Sequence, residues 1–493
     1  MPNVLGYLTS LEWWQSAGLL LDYAVKIIAV GTVAQDRKPS SSSAWLLAIL
    51  FVPVIGLPLF LMMGSPYINR RRHRIQMEAQ AMVGSTLTEA PTLPEGAELS
   101  DEVASVMRLN DRLTDLPAVH SRFHGLYSDY RESITAMAAA VDAAECTVHA
   151  QIYIIAWDDT TDVFFRACQR AVDRGVDVRL LFDQVGSWKY PGYRKLGGKL
   201  TEAGIDWHLT MPLKPFHWRF RRPDLRNHRK LLIIDGRTGF IGSQNMIEPG
   251  YLSRRNHRSG REWVDLMIQL SGPVVEAMEM IFAVDWYQET GTVLELPQTS
   301  DTGPAAGTEI VQLVPSGPGY VTEPNLRLFN SMVHHAKEHL ILCSPYFIPD
   351  DSLMEAILTA CYRGVRVDLL VNEVSDQFMV GHAQASYYKM LIEAGVHIHR
   401  YPAPMILHSK FALADPQGDT IGVLGSSNMD MRSFGLNYEV TLMVTAGEIA
   451  QKLSDLADVY LGRCTELTYE QWSRRGLGKR YLDNAMRLTA ALQ

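Results

Sequence analysis

Cysteine is scarce in this chain of 493 residues, with five scattered at Cys146, Cys168, Cys343, Cys361 and Cys464. Their number is odd and none share a paired spacing. That pattern argues against a disulfide framework or a cysteine-ligated zinc site and fits buried thiols in a reducing compartment. Positive charge is also in deficit. The net charge of −8 speaks against a protein whose main task is coating nucleic acid, while leaving room for a local basic site. A charged fraction of 20% and an apolar fraction of 47% are not those of a disordered chain. No basic stretch precedes the first apolar segment, so a cleaved signal peptide is not expected. The length calls for two or three domains.

Two apolar stretches open the chain. Residues 44–63, AWLLAILFVPVIGLPLFLMM, carry no charge and are long enough to cross about 30 Å of hydrocarbon. Pro53, Gly56 and Pro58 are costly in a soluble helix and better tolerated in a membrane one. Residues 13–33 are less apolar because they include Asp22 and Lys26. Those two lie four apart on one helix face and can pair, so this stretch reads either as a span or as an interfacial amphipathic helix. Trp13, Trp14 and Trp45 sit where interfacial aromatics belong. The cluster Arg70-Arg71-Arg72-His73-Arg74 follows, whereas the loop between the stretches offers only Arg37 and Lys38. Positive-inside weighting therefore puts the long C-terminal part in the cytoplasm, with the arginines against anionic headgroups. Residues 1–75 are thus a candidate membrane anchor. The acidic, proline-containing residues 76–115 read as a linker.

The remainder repeats itself. RGVDVRLLFD after Arg174 returns as RGVRVDLLVN after Arg363, and LTEAGIDWHL at Leu200 as LIEAGVHIHR at Leu391. In each half apolar β-rich runs alternate with amphipathic helical stretches, which indicates α/β layering with a mixed sheet covered by helices. The loop-like bridge around residues 294–307 separates a first domain, 116–296, from a second, 308–493. Two similar domains facing each other would share a pseudo-symmetric site.

Each half carries one polar constellation. The first reads NHRKLLIIDGRTGFIGSQN and gives His228, Lys230, Asp235, Gly242, Ser243 and Asn245. The second reads LHSKFALADPQGDTIGVLGSSN and gives His408, Lys410, Asp415, Gly425, Ser426 and Asn428. On a strand, residues i and i+2 share a face, so each histidine and its lysine would project into one site. Burying two such pairs without partners would be expensive. Two lysines and two asparagine amides suit the non-bridging oxygens of a phosphate, and two histidines can divide the work of nucleophile and general acid. Neither metal nor cofactor is called for, because cations stand where a two-metal enzyme would have clustered carboxylates. A nucleophilic imidazole needs its other nitrogen oriented. The candidates are Asp265 in EWVDLMI and Glu439 in NYEVTLM, with exposed strand-edge acids as the alternative reading.

The paired motif resembles the phospholipase D superfamily, and nearly the whole chain is similar to the bacterial cardiolipin synthases. Further matching stretches are YIIAWDD (153–159), NMIEPGY (245–251), YFIPDD (346–351) and NMDMRSFGLNYE (428–439). The resemblance implies two tandem phospholipase D-like α-β-α sandwich domains with mixed sheets behind an N-terminal transmembrane helical hairpin. It also implies phosphatidyl transfer in the cell membrane. One phosphatidylglycerol is held as phosphatidyl-histidine while a second attacks and glycerol leaves. The family's catalytic histidines, lysines and aspartates carry over onto His228, Lys230, Asp235, His408, Lys410 and Asp415, although the aspartates can equally support the strand and turn. Ser243, Asn245, Ser426, Asn428, Asp265 and Glu439 would bind phosphate or support the site. Phosphatidylglycerol and anionic membrane lipids are the implied partners, and nucleic acid is not one.

Residues 215–230, PFHWRFRRPDLRNHRK, could draw in anionic heads or be solvated loop charge. The basic C-terminal stretch could pack as a terminal helix or touch a membrane. Three functional classes remain: a lipid phosphatidyltransferase, a hydrolase using the same site, and a non-catalytic lipid-binding scaffold. The motif does not say which histidine attacks.

Overall fold

The computed structural model describes residues 13–33, 35, 39–64, 74, 76–78, 81, 91–213, 224–296, 307–320 and 322–488. The chain divides into two compact units, residues 1–72 with 222–224 and all the rest.

In the first unit a helix spans Trp13–Thr32, with Lys26 Nζ 2.7 Å from Asp22 as the four-residue spacing predicts. The uncharged stretch forms two helices, Pro39–Phe51 and Pro53–Leu59, and then a π-turn over Phe60–Gly64. The break falls at Val52 because Pro53 disfavours helical backbone in the residue before it. Among the described residues no helix is long and apolar enough to cross a membrane. The expected hairpin of two spanning helices is therefore not confirmed, the first helix being too polar and the second stretch interrupted at Val52. Its core is small, with Ala29, Val33, Ile49 and Phe60 buried, while Trp13 (81%), Phe51 (79%) and Val54 (84%) are largely exposed. The arginine cluster at 70–73, the loop cations Arg37 and Lys38, and most of the basic stretch before His228 lie outside the described residues.

The second unit contains both repeats. The first supplies strands β1 (Val119–Tyr127), β2 (Thr147–Ile152), β3 (Asp177–Asp183), β4 (Asp206–Thr210), β5 (Arg226–Asn227), β6 (Lys230–Ile234), β7 (Thr238–Gly242), β8 (Trp263–Val264) and β9 (Met267–Ser271). The second supplies β10 (Glu309–Ser316), β11 (His339–Cys343), β12 (Phe347–Ile348), β13 (Arg366–Asn372), β14 (His397–Tyr401), β15 (Ile406–Leu407), β16 (Phe411–Ala414), β17 (Ile421–Gly425), β18 (Met429–Asp430), β19 (Asn437–Val444) and β20 (Thr465–Glu466). From its centre the main sheet runs β1-β9-β7-β6-β2-β3-β4 to one edge and β10-β19-β17-β16-β11-β13-β14 to the other, where β20 is added. The matching order is the internal repeat in three dimensions. Strands β2, β3 and β4 are parallel, as are β11, β13 and β14, so the sheet is mixed as expected.

The expected tandem domains are fused edge to edge. Strands β1 and β10 pair antiparallel, with Val119 opposite Val311. One face of the first half packs Val148, Ala150, Ile152, Val178, Leu180 and Phe182 beneath helices Tyr130–Asp142 and Asp162–Asp173. These are alternate strand residues, as a half-turn period requires. The opposite face is shared. Leu231, Ile233, Ile268 and Leu270 join Leu413, Leu424, Leu442 and Val444 in one core with helices Val274–Thr290 and Glu448–Leu461. At about 1.5–3 kcal/mol for each buried aliphatic side chain, such a core makes the seam rigid rather than a hinge.

The stretch read as a linker through residue 115 ends in a helix, Asp101–Thr114. Ser100 Oγ caps it by accepting from Val103 N at 3.2 Å, and Asp101 and Glu102 complement the helix dipole. Val103, Val106 and Met107 pack into the second half's core, while Asn110 Nδ2 donates to Gln312 Oε1 on β10 at 3.1 Å. Of the acidic residues that suggest a linker, Asp101 and Glu102 lie on the outer face of this amphipathic helix, while Glu95 and Glu98 precede it.

Candidate active site

Both histidines lie at the carboxyl ends of the parallel strands. Ile152, the last residue of β2, stands opposite Lys230, and Cys343 of β11 stands opposite Phe411. Each histidine precedes its strand rather than lying on it, because its backbone pairs with the other half; Lys230 opens β6, whereas Lys410 stands just before β16. His228 N donates to Tyr438 O at 2.8 Å, and β5 runs parallel to β19. His408 N donates to Val264 O at 2.7 Å, and β15 runs parallel to β8.

The orienting carboxylates cross the same way. His228 Nδ1 lies 3.1 Å from both Glu439 oxygens and 3.1 Å from Ser426 O. His408 Nδ1 lies 2.7 Å from Asp265 Oδ1. All these neighbours are acceptors, so each Nδ1 carries the proton and each Nε2 presents a lone pair. Among the described residues no hydrogen bond reaches either Nε2. The carboxylates are held within their own halves: Ser243 Oγ donates to Asp265 Oδ1 at 2.6 Å and Ser426 Oγ to Glu439 Oε2 at 2.5 Å. Asp265 and Glu439 are thus fully buried partners of the histidines, not strand-edge acids.

Burial dominates the protonation of the site. It pushes His228 down to about 4 against the pull of Glu439, and it lowers His408 despite Asp265. Burial also disfavours the ionised carboxylates. His408, Lys410 and Ser243 nevertheless hold Asp265 below its usual value, and His228, Lys230 and Ser426 do the same for Glu439. Lys230 and Lys410 are buried and each Nζ donates to its own histidine's carbonyl at 2.5 Å. Burial lowers Lys410 to about 8 and also holds Lys230 well below the usual lysine value, where the charge of Lys410 adds to the effect. Each lysine also acts electrostatically on the other half's histidine, so the two motifs form one site.

The motif aspartates lie at the far ends of β6 and β16. Asp235 accepts from the backbone N–H groups of Glu145, Cys146 and Thr147 at 2.9, 2.7 and 2.8 Å. Asp415 accepts from Lys337, Glu338 and His339 at 2.8, 2.8 and 2.9 Å. Each clamps the start of a neighbouring parallel strand. Both have positive φ, 54° and 48°, and Asp235-Gly236 forms the tight turn that the Asp-Gly pair favours. Asn245 is also committed, its Oδ1 accepting from Ile154 N at 3.1 Å and its Nδ2 donating to Tyr251 OH at 2.9 Å. Asn428 Oδ1 is buried and unpartnered among the described residues.

Sequence reasoning missed three supports. Arg229 donates through Nε to Glu439 O at 3.1 Å and through a terminal nitrogen to Asp285 at 2.6 Å. Asp285, on helix Val274–Thr290, also receives Asn227 at 2.9 Å and Gln151 at 2.5 Å. Tyr153 stands edge-on to His228 with ring centres 4.7 Å apart, and Lys230 Nζ lies 5.4 Å from its ring centre. Only the tyrosine has a sequence signal, as the first residue of YIIAWDD.

Comparison with known proteins agrees with this geometry. A family model described as cardiolipin synthase, PLD-like domain, matches residues 137–286 and 329–458, and a phospholipase D-nuclease N-terminal model matches 24–64. Cardiolipin synthase A of Serratia proteamaculans (strain 568) is 30% identical over 486 residues, covering 97% of each chain. Its counterpart from Yersinia pseudotuberculosis serotype O:1b (strain IP 31758) is 31% identical, covering 96% of this chain and 97% of that one. The crystal structure of phosphatidylserine synthase from Haemophilus influenzae Rd KW20 superposes with a TM-score of 0.58 at 15% identity, over 79% of this chain and 99% of that chain, a likeness of fold.

Proposed function

The chain belongs to the cardiolipin synthase family of phospholipase D-like proteins, and from that premise we propose that it transfers a phosphatidyl group from one phosphatidylglycerol to another, releasing glycerol. The observation that carries this reading is the crossed pair of histidines, each with a bare Nε2 and with Nδ1 held by the other half's carboxylate.

His228 is the nucleophile in this mechanism. Its longer contacts with Glu439 and its depressed proton affinity leave Nε2 unprotonated. His408, with the shorter bond to Asp265, retains a proton on Nε2 more readily once an anionic diester enters the site. His228 Nε2 forms a bond to phosphorus as the bond to the glycerol oxygen breaks, and His408 gives that oxygen its proton. A hydroxyl of the second phosphatidylglycerol then passes its proton to His408 while its oxygen attacks phosphorus and displaces His228. Lys230 and Lys410 neutralise charge on the non-bridging oxygens. Ser243 and Ser426 hold the carboxylates, whereas Asp235 and Asp415 maintain the strands.

Residues 1–75 serve as the membrane anchor in this reading, with residues 116–296 and 308–493 as the two catalytic repeats on the cytoplasmic side. Support comes from the apolar residues that helices Trp13–Thr32 and Pro53–Leu59 turn outward around a core of only a few side chains. The test of function is to reconstitute the full chain in vesicles with phosphatidylglycerol as the sole phospholipid, omit divalent metal and resolve the products. Cardiolipin with an equal amount of glycerol is expected. Phosphatidic acid in place of cardiolipin would identify water as the acceptor and the chain as a hydrolase.

A further inference from the structure

Tyr251 occupies a position that the transfer chemistry above does not use. It lies in the loop after β7, where Tyr251 and Leu252 both adopt left-handed backbone, φ 57° and 52°. Two consecutive side-chain-bearing residues there are strained, so the surrounding structure must enforce them. Glu248 does so by accepting from Gly250 N at 2.9 Å and from Leu252 N, while His257 Nε2 holds the carboxylate at 2.7 Å. Glu248 N in turn donates to Asp158 at 2.9 Å. The result is a buried Tyr251 whose ring packs on Trp263, with centres 4.4 Å apart. Trp263 belongs to β8, whose Val264 carbonyl receives His408 N and whose next residue is Asp265. Tyr251 therefore packs on the strand that positions the acid–base histidine, and the charge of Asp265 reaches its hydroxyl.

The polarity of its hydroxyl is fixed. Ile154 N donates to Asn245 Oδ1, which turns the amide nitrogen of Asn245 toward Tyr251, and that nitrogen donates to the phenol oxygen. The phenol is thus an acceptor on one side, and its own proton has no acceptor among the described residues. Burial and the charge of Asp265 keep that proton in place at any working pH. Asp265, whose charge acts on Tyr251, has its Oδ2 buried with no hydrogen-bond partner among the described residues. An oriented donor and an unused acceptor on the carboxylate that holds His408 match an alcohol, which can accept from one and donate to the other. The second half offers no equivalent hydroxyl, since the residue six positions after its motif asparagine Asn428 is Phe434.

We propose that Tyr251 binds the acceptor alcohol, donating to a glycerol hydroxyl of the incoming phosphatidylglycerol and so favouring that lipid over water. This rests on the transferase reading. The balance is that of the second step above: the acceptor oxygen bonds to phosphorus, the bond from phosphorus to His228 breaks, and the proton goes to His408.

The test compares full-length wild type with Tyr251→Phe in phosphatidylglycerol vesicles and measures the ratio of cardiolipin to phosphatidic acid. The ratio does not depend on how much protein folds. A fall of about tenfold is expected, the worth of one hydrogen bond in a buried polar site. Asn245→Asp is the second arm. It keeps the phenol but replaces the donor amide with an acceptor, drawing the tyrosine proton away from the substrate, and the same shift toward phosphatidic acid is expected. An unchanged ratio in either variant, with or without loss of rate, overturns the proposal. So does a Tyr251→Phe enzyme that forms neither product, because Tyr251 would then act before the acceptor arrives. If wild type itself makes only phosphatidic acid, the transferase reading fails instead.

Discussion

At the scale of single residues, the histidines work only because acceptors fix which nitrogen bears the proton. Glu439→Gln keeps the shape but lets an amide donate to His228 Nδ1, which moves the proton to Nε2 and removes the nucleophilic lone pair. Turnover should fall by about 10^3–10^4-fold with little change in melting temperature, as wrong-tautomer substitutions do; a loss below tenfold would mean that Glu439 is not the orienting group. His228→Ala and His408→Ala should each abolish cardiolipin formation, and substantial activity in either would sink the shared site. The lysines set the alkaline limit. Lys410 loses its proton near 8 in the free enzyme, so kcat/KM should decline as pH rises through that value while substrate binding weakens. A profile flat to pH 10 would contradict the assignment of phosphate charge to this lysine. The residue types of the site were legible in the sequence, including Asp265 and Glu439 as candidates. Which carboxylate serves which histidine was not, because the pairing depends on strands brought together only by folding. Arg229 occupies the variable position of its motif, where no spacing rule points to it.

Elements explain why glycine precedes each motif serine. A side chain at Gly242 would place its Cβ 2.1 Å from Leu266 O, and one at Gly425 2.3 Å from Val440 O. Those backbones belong to the segments that present Asp265 and Glu439, so close approach of strands sets the serine–carboxylate bonds. Gly242→Ala is expected to force β7 and β9 apart, lowering stability by about 1–3 kcal/mol and activity by far more than that stability loss removes. Urea denaturation alongside kcat on the folded fraction checks it, and a normal kcat would refute the link. Asp235→Asn should behave oppositely, with a measurable loss of stability and a largely intact kcat for folded protein, since its carboxylate serves backbone amides and not substrate. The order of runs and helices in each repeat was readable from periodicity. Helix Asp101–Thr114 was not, because its charged outer face dominates the text and its apolar face is recognised only against the core that receives it.

On the scale of the whole molecule, the repeat announced a pseudo-symmetric site but not a single sheet. Tandem copies can face each other, swap or fuse, and only the β1–β10 register decides for fusion. Because the crossed carboxylates are intramolecular, mixing folded His228→Ala and His408→Ala proteins should restore no activity. Recovery would require exchange of strands out of a common core, and detectable cardiolipin from the mixture would show that the halves exchange. The crossing also has a consequence in time. The first of the two motif histidines to leave the ribosome, His228, has no carboxylate until residue 439 follows, more than two hundred residues later. The growing chain is therefore chemically silent through the whole of its first repeat, and lipid turnover cannot begin before residue 439 has emerged and folded against it.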